Sequence, residues 1–259
     1  MVKGLDKFKE YFKDFPGSYV IIGGTACDLI IGAAGLTPRR TKDIDIILIV
    51  EALTPDFVQH FWEFIKDGNY EKREKSTGER KYYRFLKPVN TDFPHQIELF
   101  SRKPDILDLE GEPYLTPIPA DDDLSSLSAI LLNDVYYRFT IDHCVIEDDL
   151  NRANTEALIC LKAKAFLDMQ ARKDKGEKVD EGDIKKHKAD VFRMALFLAP
   201  ETVLVLPDSI KTDLQVFVSI VKNNLPDPAM FKEMGAGKVD AIALLNQLVK
   251  NFDLKAYIP

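Results

Sequence analysis

The chain has 259 residues, of which 46% are hydrophobic and 30% charged, a composition typical of a globular protein with one large core or two smaller ones. Its net charge of −7 argues against broad electrostatic coating of nucleic acid, but it is compatible with a local basic cleft. No apolar run approaches the roughly 18 residues of a membrane span, and the first residues lack a signal-peptide pattern. We therefore expect a cytoplasmic protein with no membrane partner. The three cysteines are scattered, so we expect reduced thiols rather than zinc ligands or disulfides.

The first half of the chain predicts alternating helices and strands. Helical spacing of apolar residues predicts helices over residues 5–15, 25–31 and 55–66. Runs rich in β-branched and aromatic residues predict strands over residues 18–22, 43–50, 81–85 and 96–101. Gly23 and Gly24 interrupt the first of these runs, and Thr25 can cap the helix that follows.

The second half of the chain predicts a different architecture. Residues 104–123, which include several prolines and acids, predict a loop-rich connection. Beyond it, helical periodicity predicts helices over residues 156–172, 183–198, 209–223 and 239–251, with no strand among them. We therefore predict an α+β protein with a boundary near residue 150. Residues 1–150 would form a mixed sheet flanked by helices, and residues 151–259 a mostly helical domain.

Two aspartates at the start of a predicted strand are the first candidates for chemistry. Side chains alternate along a strand, so Asp43 and Asp45 project from the same side while Ile44 and Ile46 anchor the strand in a core. Carboxylates held this close repel each other unless a cation lies between them, and oxygen ligands of this kind suit Mg²⁺. The alternative is an exposed strand start at which both aspartates face water.

The glycine pair gives these aspartates a context. A Gly-Gly turn that opens a helix offers unblocked backbone N–H groups and a positive dipole end, which together can hold phosphate oxygens, and Thr25 can add a hydroxyl. Taken with Asp43 and Asp45, the turn resembles the DNA polymerase β-like nucleotidyltransferase superfamily, whose pattern is Gly-Gly or Gly-Ser, a spacer, then Asp-x-Asp. The resemblance implies that residues 1–150 form a nucleotidyltransferase domain of that fold.

The superfamily uses a third acidic residue on an adjacent strand. Glu98, which alternates with Ile97 and Leu99, is the candidate in this chain, and Asp92 and Glu51 are the fallbacks. The alternative for Glu98 is a surface position on an edge strand. The resemblance implies that Asp43, Asp45 and Glu98 hold two Mg²⁺ ions, with Mn²⁺ as a substitute. It further implies transfer of a nucleotidyl group from a nucleoside triphosphate (NTP) to an acceptor hydroxyl, with pyrophosphate leaving.

The helical half contributes charged residues that point inward. A helical projection places Lys162 on the apolar face of the first long helix, where a lysine must pair, snorkel or meet an anion such as phosphate. Asp190 lies on the border of the apolar stripe of the next helix, where the alternatives are an ion pair with Lys186 or compensation of the helix dipole. His187 lies inside that stripe, and we expect a core histidine.

The order of these motifs resembles the AbiEii-type nucleotidyltransferase toxins of type IV toxin–antitoxin systems. The resemblance is carried by Gly-Gly-Thr-Ala at 23–26, Arg-Thr-x-Asp-Ile-Asp at 40–45, Ile-Glu-Leu-Phe at 97–100, Leu-Lys-Ala at 161–163 and the run 183–190. In that family a lysine and a later aspartate complete the cleft, which implies catalytic roles for Lys162 and Asp190. The implied nucleotide-binding residues are Gly23, Gly24, Thr25, Arg40, Thr41 and Lys162.

Three hypotheses about the partner remain open. The toxin resemblance implies an RNA-end acceptor, tRNA above all, and a cognate antitoxin protein as a possible partner. A basic channel for that RNA would use Arg39, Arg40, Arg172, Lys185 and Lys186. Alternatively, the enzyme modifies a small cationic molecule, as aminoglycoside nucleotidyltransferases do, which the net acidity suits. From a different class, the chain could be a catalytically silent nucleotide-binding module that recognises a partner.

Overall fold

The computed structural model describes residues 2–72, 81–100, 118–119 and 133–255. The strands within these ranges are β1 Tyr19–Ile22, β2 Asp43–Leu48, β3 Glu71–Lys72, β4 Lys81–Leu86, β5 Gln96–Phe100, β6 Ile118–Pro119, β7 Cys144–Glu147 and β8 Leu150–Ala153. The helices are α1 Leu5–Phe12, α2 Gly23–Ala33, α3 Pro55–Gly68, α4 Asp134–Asp142, α5 Thr155–Asp174, α6 Glu181–Ala195, α7 Asp208–Val221, α8 Ala229–Glu233 and α9 Ala241–Asn251. The α+β class predicted from the sequence is confirmed.

One mixed sheet organises these elements. Its strand order is β3-β4-β5-β2-β1-β8-β7, and β6 pairs with β4 outside this path. The strand β2 lies in the interior of the sheet, antiparallel to β1 and parallel to β5. Its isoleucines Ile44, Ile46 and Ile47 are fully buried, which fixes the strand in the core. The apolar segment that follows the two aspartates therefore sets the position of the carboxylates.

Aromatic packing holds the first helix against the sheet. Phe8 and Phe12 on α1 are fully buried, and the ring of Phe8 meets that of Tyr19 on β1 edge-on, with centroids 5.2 Å apart. Phe12 also packs against Phe64 of α3, with centroids 5.3 Å apart. Burial of aromatic rings of this size is among the largest contributions to a core. These contacts join α1 and α3 to the sheet as a rigid support.

Two capped helices carry the inward-pointing charges. The side chain of Asn154 accepts a hydrogen bond from the backbone N–H of Ala157 at the start of α5, and Asp180 accepts one from Gly182 at the start of α6. Such caps satisfy N–H groups that the first helical turn leaves without partners, and each stabilises the helix by about 1 kcal/mol. Within the described part of the chain, no helix has both the length and the apolar character that crossing a membrane requires.

The hairpin β7–β8 was not predicted, and it lies across the predicted boundary near residue 150. The strand β8 pairs in parallel with β1, opposing Arg152 to Ile21, so the sheet extends beyond residue 150. The two-residue turn of the hairpin uses Asp148 and Asp149, both with positive φ. A turn of this type favours Asn-Gly or Asp-Gly, so Asp-Asp gave no turn signal. The buried hydrophobic cluster includes residues from both sides of the boundary, and the division into two domains stays a prediction.

The remaining sequence expectations match the structure to different degrees. Helices α4 and α8 were not predicted, whereas the other helices lie within a few residues of their predicted bounds. The three cysteines are free thiols. Of the predicted loop at 104–123, only residues 118–119 are among those the structure describes, and the rest of that prediction lies outside them.

Candidate active site

The register of two parallel strands brings three carboxyl groups to one face of the sheet. In β2, the partly buried Asp43 and Asp45 alternate with the fully buried Ile44 and Ile46. Asp45 lies opposite Glu98 of β5, and Asp43 lies opposite Gln96. Residues paired in register project to the same face, so Glu98 joins the two aspartates there. Among the described residues, the fallback candidates lie elsewhere: Asp92 is exposed in a turn, and Glu51 accepts a hydrogen bond from Tyr137.

The glycine pair lies in close contact with this face. Gly23 has a φ of +67°, in the left-handed region, and a Cβ at this position would overlap the Oδ2 atom of Asp45. A Cβ at Gly24 would overlap the hydroxyl of Thr41. Gly23 therefore requires glycine, a side chain at Gly24 would displace Thr41, and the N-terminus of α2 meets the carboxylates through bare backbone. This is the geometry in which backbone N–H groups can approach an anion.

A glycine-to-alanine comparison within α2 tests this close approach. Gly23→Ala should lower the free energy of unfolding by more than about 1 kcal/mol, because it combines a strained φ with overlap at Asp45. Gly32→Ala is the matched control, since its Cβ would meet nothing within 4 Å. That variant should gain roughly 0.5 to 1 kcal/mol from helix propensity. Equal effects of the two substitutions in urea denaturation would contradict the packing described here.

Two side chains of α2 fix the loop that precedes β2. The buried hydroxyl of Thr25 donates to the backbone carbonyl of Asp43 at 2.5 Å. The carboxylate of Asp28 accepts a hydrogen bond from the backbone N–H of Thr41 at 2.7 Å, and burial raises the pKa of this carboxyl. Asp28 was not singled out from the sequence. The nucleotide-binding role assigned to Thr25 stays a prediction. The hydroxyl proton of Thr25 is already donated within the protein.

A cluster of charges from the helical half lies beside the strands. Asp190 of α6 is only 1% exposed, and Lys162 of α5 is only 3% exposed. The Lys162 Nζ atom lies 3.2 Å from Oδ2 of Asp190, Arg193 Nη1 lies 2.9 Å from Oδ1, and Arg39 Nε lies 3.4 Å from Oδ1. One buried carboxylate thus meets three cations, which gives the cluster a net positive charge. The inward orientation that the helical projections predicted for Lys162 and Asp190 agrees with their burial.

The cations keep Asp190 ionised. Burial alone would raise the pKa of Asp190, but the charges of Lys162, Arg39 and Arg193 outweigh it and lower the pKa to about 2. Burial likewise opposes the charge on Lys162, yet Asp190 raises the pKa of the lysine. At neutral pH the pair is therefore fully charged, and the excess positive charge of the cluster is available to an anion.

The carboxyl face and the charge cluster border one pocket of about 160 Å³. Its lining residues are Gly24, Arg39, Thr41, Asp43, Asp45, Arg84, Gln96, Glu98, Lys162, Asp183, Lys186 and His187. Besides His187, these residues include four carboxylates and four lysine or arginine side chains, so the pocket combines cation-binding and anion-binding groups. Residues that the sequence placed in two predicted domains thus contribute to a single site.

Glu98 has partners of its own in this arrangement. Its Oε1 atom lies 2.5 Å from Nη2 of Arg84 on β4 and accepts a hydrogen bond from Gln96 at 2.5 Å. Among the described residues, no group of three or more His, Cys, Asp and Glu side chains forms a ready metal site. Asp43 and Asp45 nevertheless offer carboxylate oxygens of the kind that suit Mg²⁺ or Mn²⁺. The contacts with Arg84 and Gln96 both use Oε1, so Glu98 can serve as a further ligand through Oε2 without breaking its ion pair with Arg84.

The ionised forms of Asp45 and Glu98 are unfavourable in the folded protein. Burial raises the pKa of Asp45, and the neighbouring charge of Asp43 adds to this effect while Lys162 opposes it. Burial and then Asp45 raise the pKa of Glu98, against the influence of Arg84. Between the ordinary pKa of these carboxyl groups and their raised pKa, the folded protein keeps a proton that the unfolded chain releases. The free energy of unfolding therefore falls as the pH rises through this range.

The pH dependence of unfolding tests whether ionised Glu98 destabilises the fold. Between about pH 5 and about pH 9 without divalent metal, the parent protein should lose at least about 1 kcal/mol more of its free energy of unfolding than Glu98→Gln. The amide cannot ionise and so escapes the penalty. Glu233→Gln, at an exposed position, should follow the parent. Parallel pH profiles of the unfolding free energy for the parent and Glu98→Gln in urea denaturation would rule out a cost of ionising Glu98.

His187 is buried, as expected for a core histidine, but it also lines the pocket. Burial and the charge of Lys162 lower its pKa to about 3. Its imidazole is therefore neutral near pH 7, and its Nδ1 atom has no hydrogen-bond partner within the described residues. Helical periodicity predicted the burial of His187 but not its position at the pocket.

The predicted basic channel does not lie along one surface. Arg39 and Lys186 line the site pocket, whereas Lys185 lines a different cavity. Arg40, which has a positive φ of 66°, lines a third cavity next to Arg39. Arg172 lies 2.7 Å from Glu177 in an ion pair. The five residues are thus distributed over several surfaces, and only two of them border the carboxylates.

Comparison with known proteins adds little to this geometry. No protein-family model and no curated protein sequence matches the chain. Among solved structures, the chain is similar to an antigenic nucleotidyltransferase-like protein from Paracoccidioides brasiliensis, with 15% sequence identity and a TM-score of 0.42. The similarity covers 95% of this chain and 99% of that chain. A TM-score of 0.42 is too low to support an inference about function, so the function proposed for the chain rests on its own residues.

Proposed function

We propose that the chain is a metal-dependent nucleotidyltransferase that transfers a nucleotidyl group from an NTP to an acceptor hydroxyl. The supporting observation is the shared pocket, in which the paired carboxylates of Asp43 and Asp45 meet Lys162 and Arg39. A metal–triphosphate complex needs anionic oxygens for the metal and cations for the phosphates. A pocket with both sets of groups suits this ligand better than a purely acidic or purely basic one.

Asp43 and Asp45 would hold the metal, for which Mg²⁺ is the proposed ion and Mn²⁺ a substitute. Glu98 would join them as the third carboxylate and as the ligand closest to the acceptor. Two ions are proposed, in line with the superfamily resemblance. Divalent cations at such a site neutralise the triphosphate and align the attacking hydroxyl with the leaving pyrophosphate.

The protein's own groups would orient the nucleotide. Lys162 supplies a point charge for phosphate oxygens, and Asp190 acts as a positioning residue that keeps the ammonium in the pocket. The backbone at Gly23 and Gly24 can approach the phosphates because neither residue has a side chain. The Thr41 side chain, which lies over Gly24, borders the same space. Arg40 is proposed as a more distant phosphate contact.

The proposed acceptor is an RNA end, and tRNA in particular, as the AbiEii resemblance implies. Arg39 lines the pocket and Arg40 the adjacent cavity, so positive charge continues from the site for a short distance. In this hypothesis the chain is a toxin whose activity a cognate antitoxin protein restrains. A small-molecule acceptor is the second candidate, because the pocket measures only about 160 Å³ and the predicted basic residues do not form one channel.

The experiment that separates these hypotheses is label transfer from α-³²P-labelled NTPs. The protein is incubated with Mg²⁺ and each NTP, together with total tRNA or with an aminoglycoside mixture. Label on tRNA supports the RNA acceptor, and label on the aminoglycosides supports the small-molecule acceptor. If the NTP binds but neither acceptor is labelled under any condition, the chain is a nucleotide-binding module without catalytic activity, and the proposal is wrong.

A further inference from the structure

A second and larger cavity lies in the helical half, on the opposite side of α6 from the carboxylates. It measures about 520 Å³ and is formed between α5, α6 and α7. Lys186 and His187 of α6 line the carboxylate pocket, whereas Lys185 and Lys188 of the same helix line this cavity. Nothing in the proposed nucleotidyl transfer uses it, and none of the residues that the structure describes lines both spaces. The two cavities therefore share a wall but no lining.

Lys188 is the unusual residue of this cavity. It is only 8% exposed, and its Nζ atom donates hydrogen bonds to the backbone carbonyl of Asn224 at 2.7 Å and to the side-chain oxygen of Asn224 at 3.1 Å. Both acceptors are neutral, and within the described part of the chain no carboxylate lies within ion-pair distance of Lys188. A buried ammonium with only neutral acceptors is incompletely compensated. Burial and the nearby charge of Lys185 accordingly lower its pKa.

The other charged residues of the cavity leave its lining positive near Lys188. Lys185 is exposed and has no ion pair among the described residues. The two acids of the lining already have partners, since Glu181 lies 2.7 Å from Lys173 and Asp174 accepts a hydrogen bond from Gln170 at 3.1 Å. Together with Lys173, the lining holds three lysines against these two carboxylates, so an anion that approaches Lys188 and Lys185 meets a net positive charge.

Part of the cavity lining is apolar. Phe166 of α5, Ile184 of α6 and Val221 of α7 are buried residues that contribute to its lining. A volume of about 520 Å³ lies in the range typical of small-molecule sites and is too small for a folded partner. The lining thus has two parts. Lys185 and Lys188 form its cationic end, and Phe166, Ile184 and Val221 form its apolar floor.

We infer that this cavity binds a small organic anion, with a phosphate or carboxylate group at Lys185 and Lys188 and an apolar body against Phe166, Ile184 and Val221. The inference is independent of the proposed nucleotidyl transfer. The bound anion would supply the counter-charge that Lys188 lacks, and the apolar body would pack against these apolar side chains. Because α6 forms a wall of both cavities, such a ligand would also contact the helix that carries Asp190.

Calorimetric titration with three probes tests the inference on the full chain. Phenyl phosphate has both groups, inorganic phosphate lacks the apolar body, and phenol lacks the anion. Phenyl phosphate should bind at least about tenfold more tightly than either of the others. Equal affinity for phenyl phosphate and inorganic phosphate would overturn the apolar floor, and equal affinity for phenyl phosphate and phenol would overturn the cationic end.

Neighbouring lysines on α6 provide matched variants. Lys188→Met should weaken phenyl phosphate binding about tenfold, and Lys185→Ala, at an exposed position, should weaken it severalfold without affecting folding. Lys186→Ala faces the carboxylate pocket and should leave the affinity within about twofold of the parent. A loss in Lys186→Ala with none in Lys185→Ala would place the anion in the carboxylate pocket and overturn the inference. Undetectable binding to the parent protein at millimolar phenyl phosphate would overturn it as well.

Discussion

Asp45→Asn is expected to reduce nucleotidyl transfer by about a thousandfold or more, because it removes one of the two carboxylates proposed to hold the metal. Asparagine has nearly the same shape and hydrogen-bonding reach, so Gly23 can still approach it. The substitution also removes a carboxylate whose pKa burial raises, so the fold should be at least as stable as that of the parent protein. A loss of activity without a loss of stability would assign Asp45 to the chemistry.

The measurement is the rate of label transfer at saturating NTP, together with urea denaturation of each variant. Asp142→Asn, at an exposed position near the end of α4, is the control and should transfer label at the parental rate. Retention of more than about a tenth of the parental rate by Asp45→Asn would contradict a metal-holding role. The same comparison at Asp43 would then show whether the pair acts as a unit.

Asp190→Ala is expected to lower the free energy of unfolding by about 3 to 5 kcal/mol, because it leaves the buried Lys162 without its counter-charge. Arg39 and Arg193 lose the same partner, although both retain some contact with solvent. Glu201→Ala is the control, since its ion pair with Lys250 is exposed and should contribute about 1 kcal/mol or less. Similar losses for the two variants in urea denaturation would contradict the account of the buried cluster.

Two further observations would identify the cause of that loss. Adding Lys162→Met to Asp190→Ala should recover part of the stability, because it removes the unpaired buried charge. The pKa of Asp190 is lowered to about 2, so its contribution is present above its ordinary value of 3.8 and is lost as the pH falls through about 2. The parent should therefore lose stability over this acidic range, and Asp190→Ala should show less of that loss.

Periodicity predicted the parts of the site that depend on a single element. The alternation in β2 indicated that Asp43 and Asp45 share a face, and helical projections placed Lys162 and Asp190 toward the interior; the burial pattern of each element agrees. These inferences needed only the geometry of one strand or one helix. They required no knowledge of which elements are neighbours.

Features that depend on two elements could not be predicted in the same way. The pairing of Asp45 with Glu98 follows from the register between β2 and β5, which no local pattern specifies. Arg84 reaches Glu98 only because β4 is the other neighbour of β5. Arg39 lies in a loop whose path depends on the hydrogen bond from Thr41 to Asp28. Sequence alone thus indicated the carboxylates and the lysine. It named Arg39 only as part of a basic channel, and it did not single out Arg84 or Arg193.

The position of the helical half follows the same logic. The change from strands to helices was visible near residue 150, yet α5 and α6 pack so that their charged residues border the carboxylate face. Hydrophobic periodicity shows which face of each helix is buried but not what it is buried against. The hairpin β7–β8, with a largely exposed β7, gave too weak an alternation to reveal that the sheet continues into this region.

Pyrophosphate release is the measurement that tests the central claim most directly, because it distinguishes nucleotidyl transfer from simple binding and from transfer of a terminal phosphate. The protein is incubated with Mg²⁺, each of the four NTPs and total tRNA or aminoglycosides, beside Asp43→Ala. The account predicts metal-dependent pyrophosphate formation with at least one NTP, lost on chelation and in Asp43→Ala. Absence of pyrophosphate with every NTP and acceptor, or its equal formation by Asp43→Ala, would contradict it.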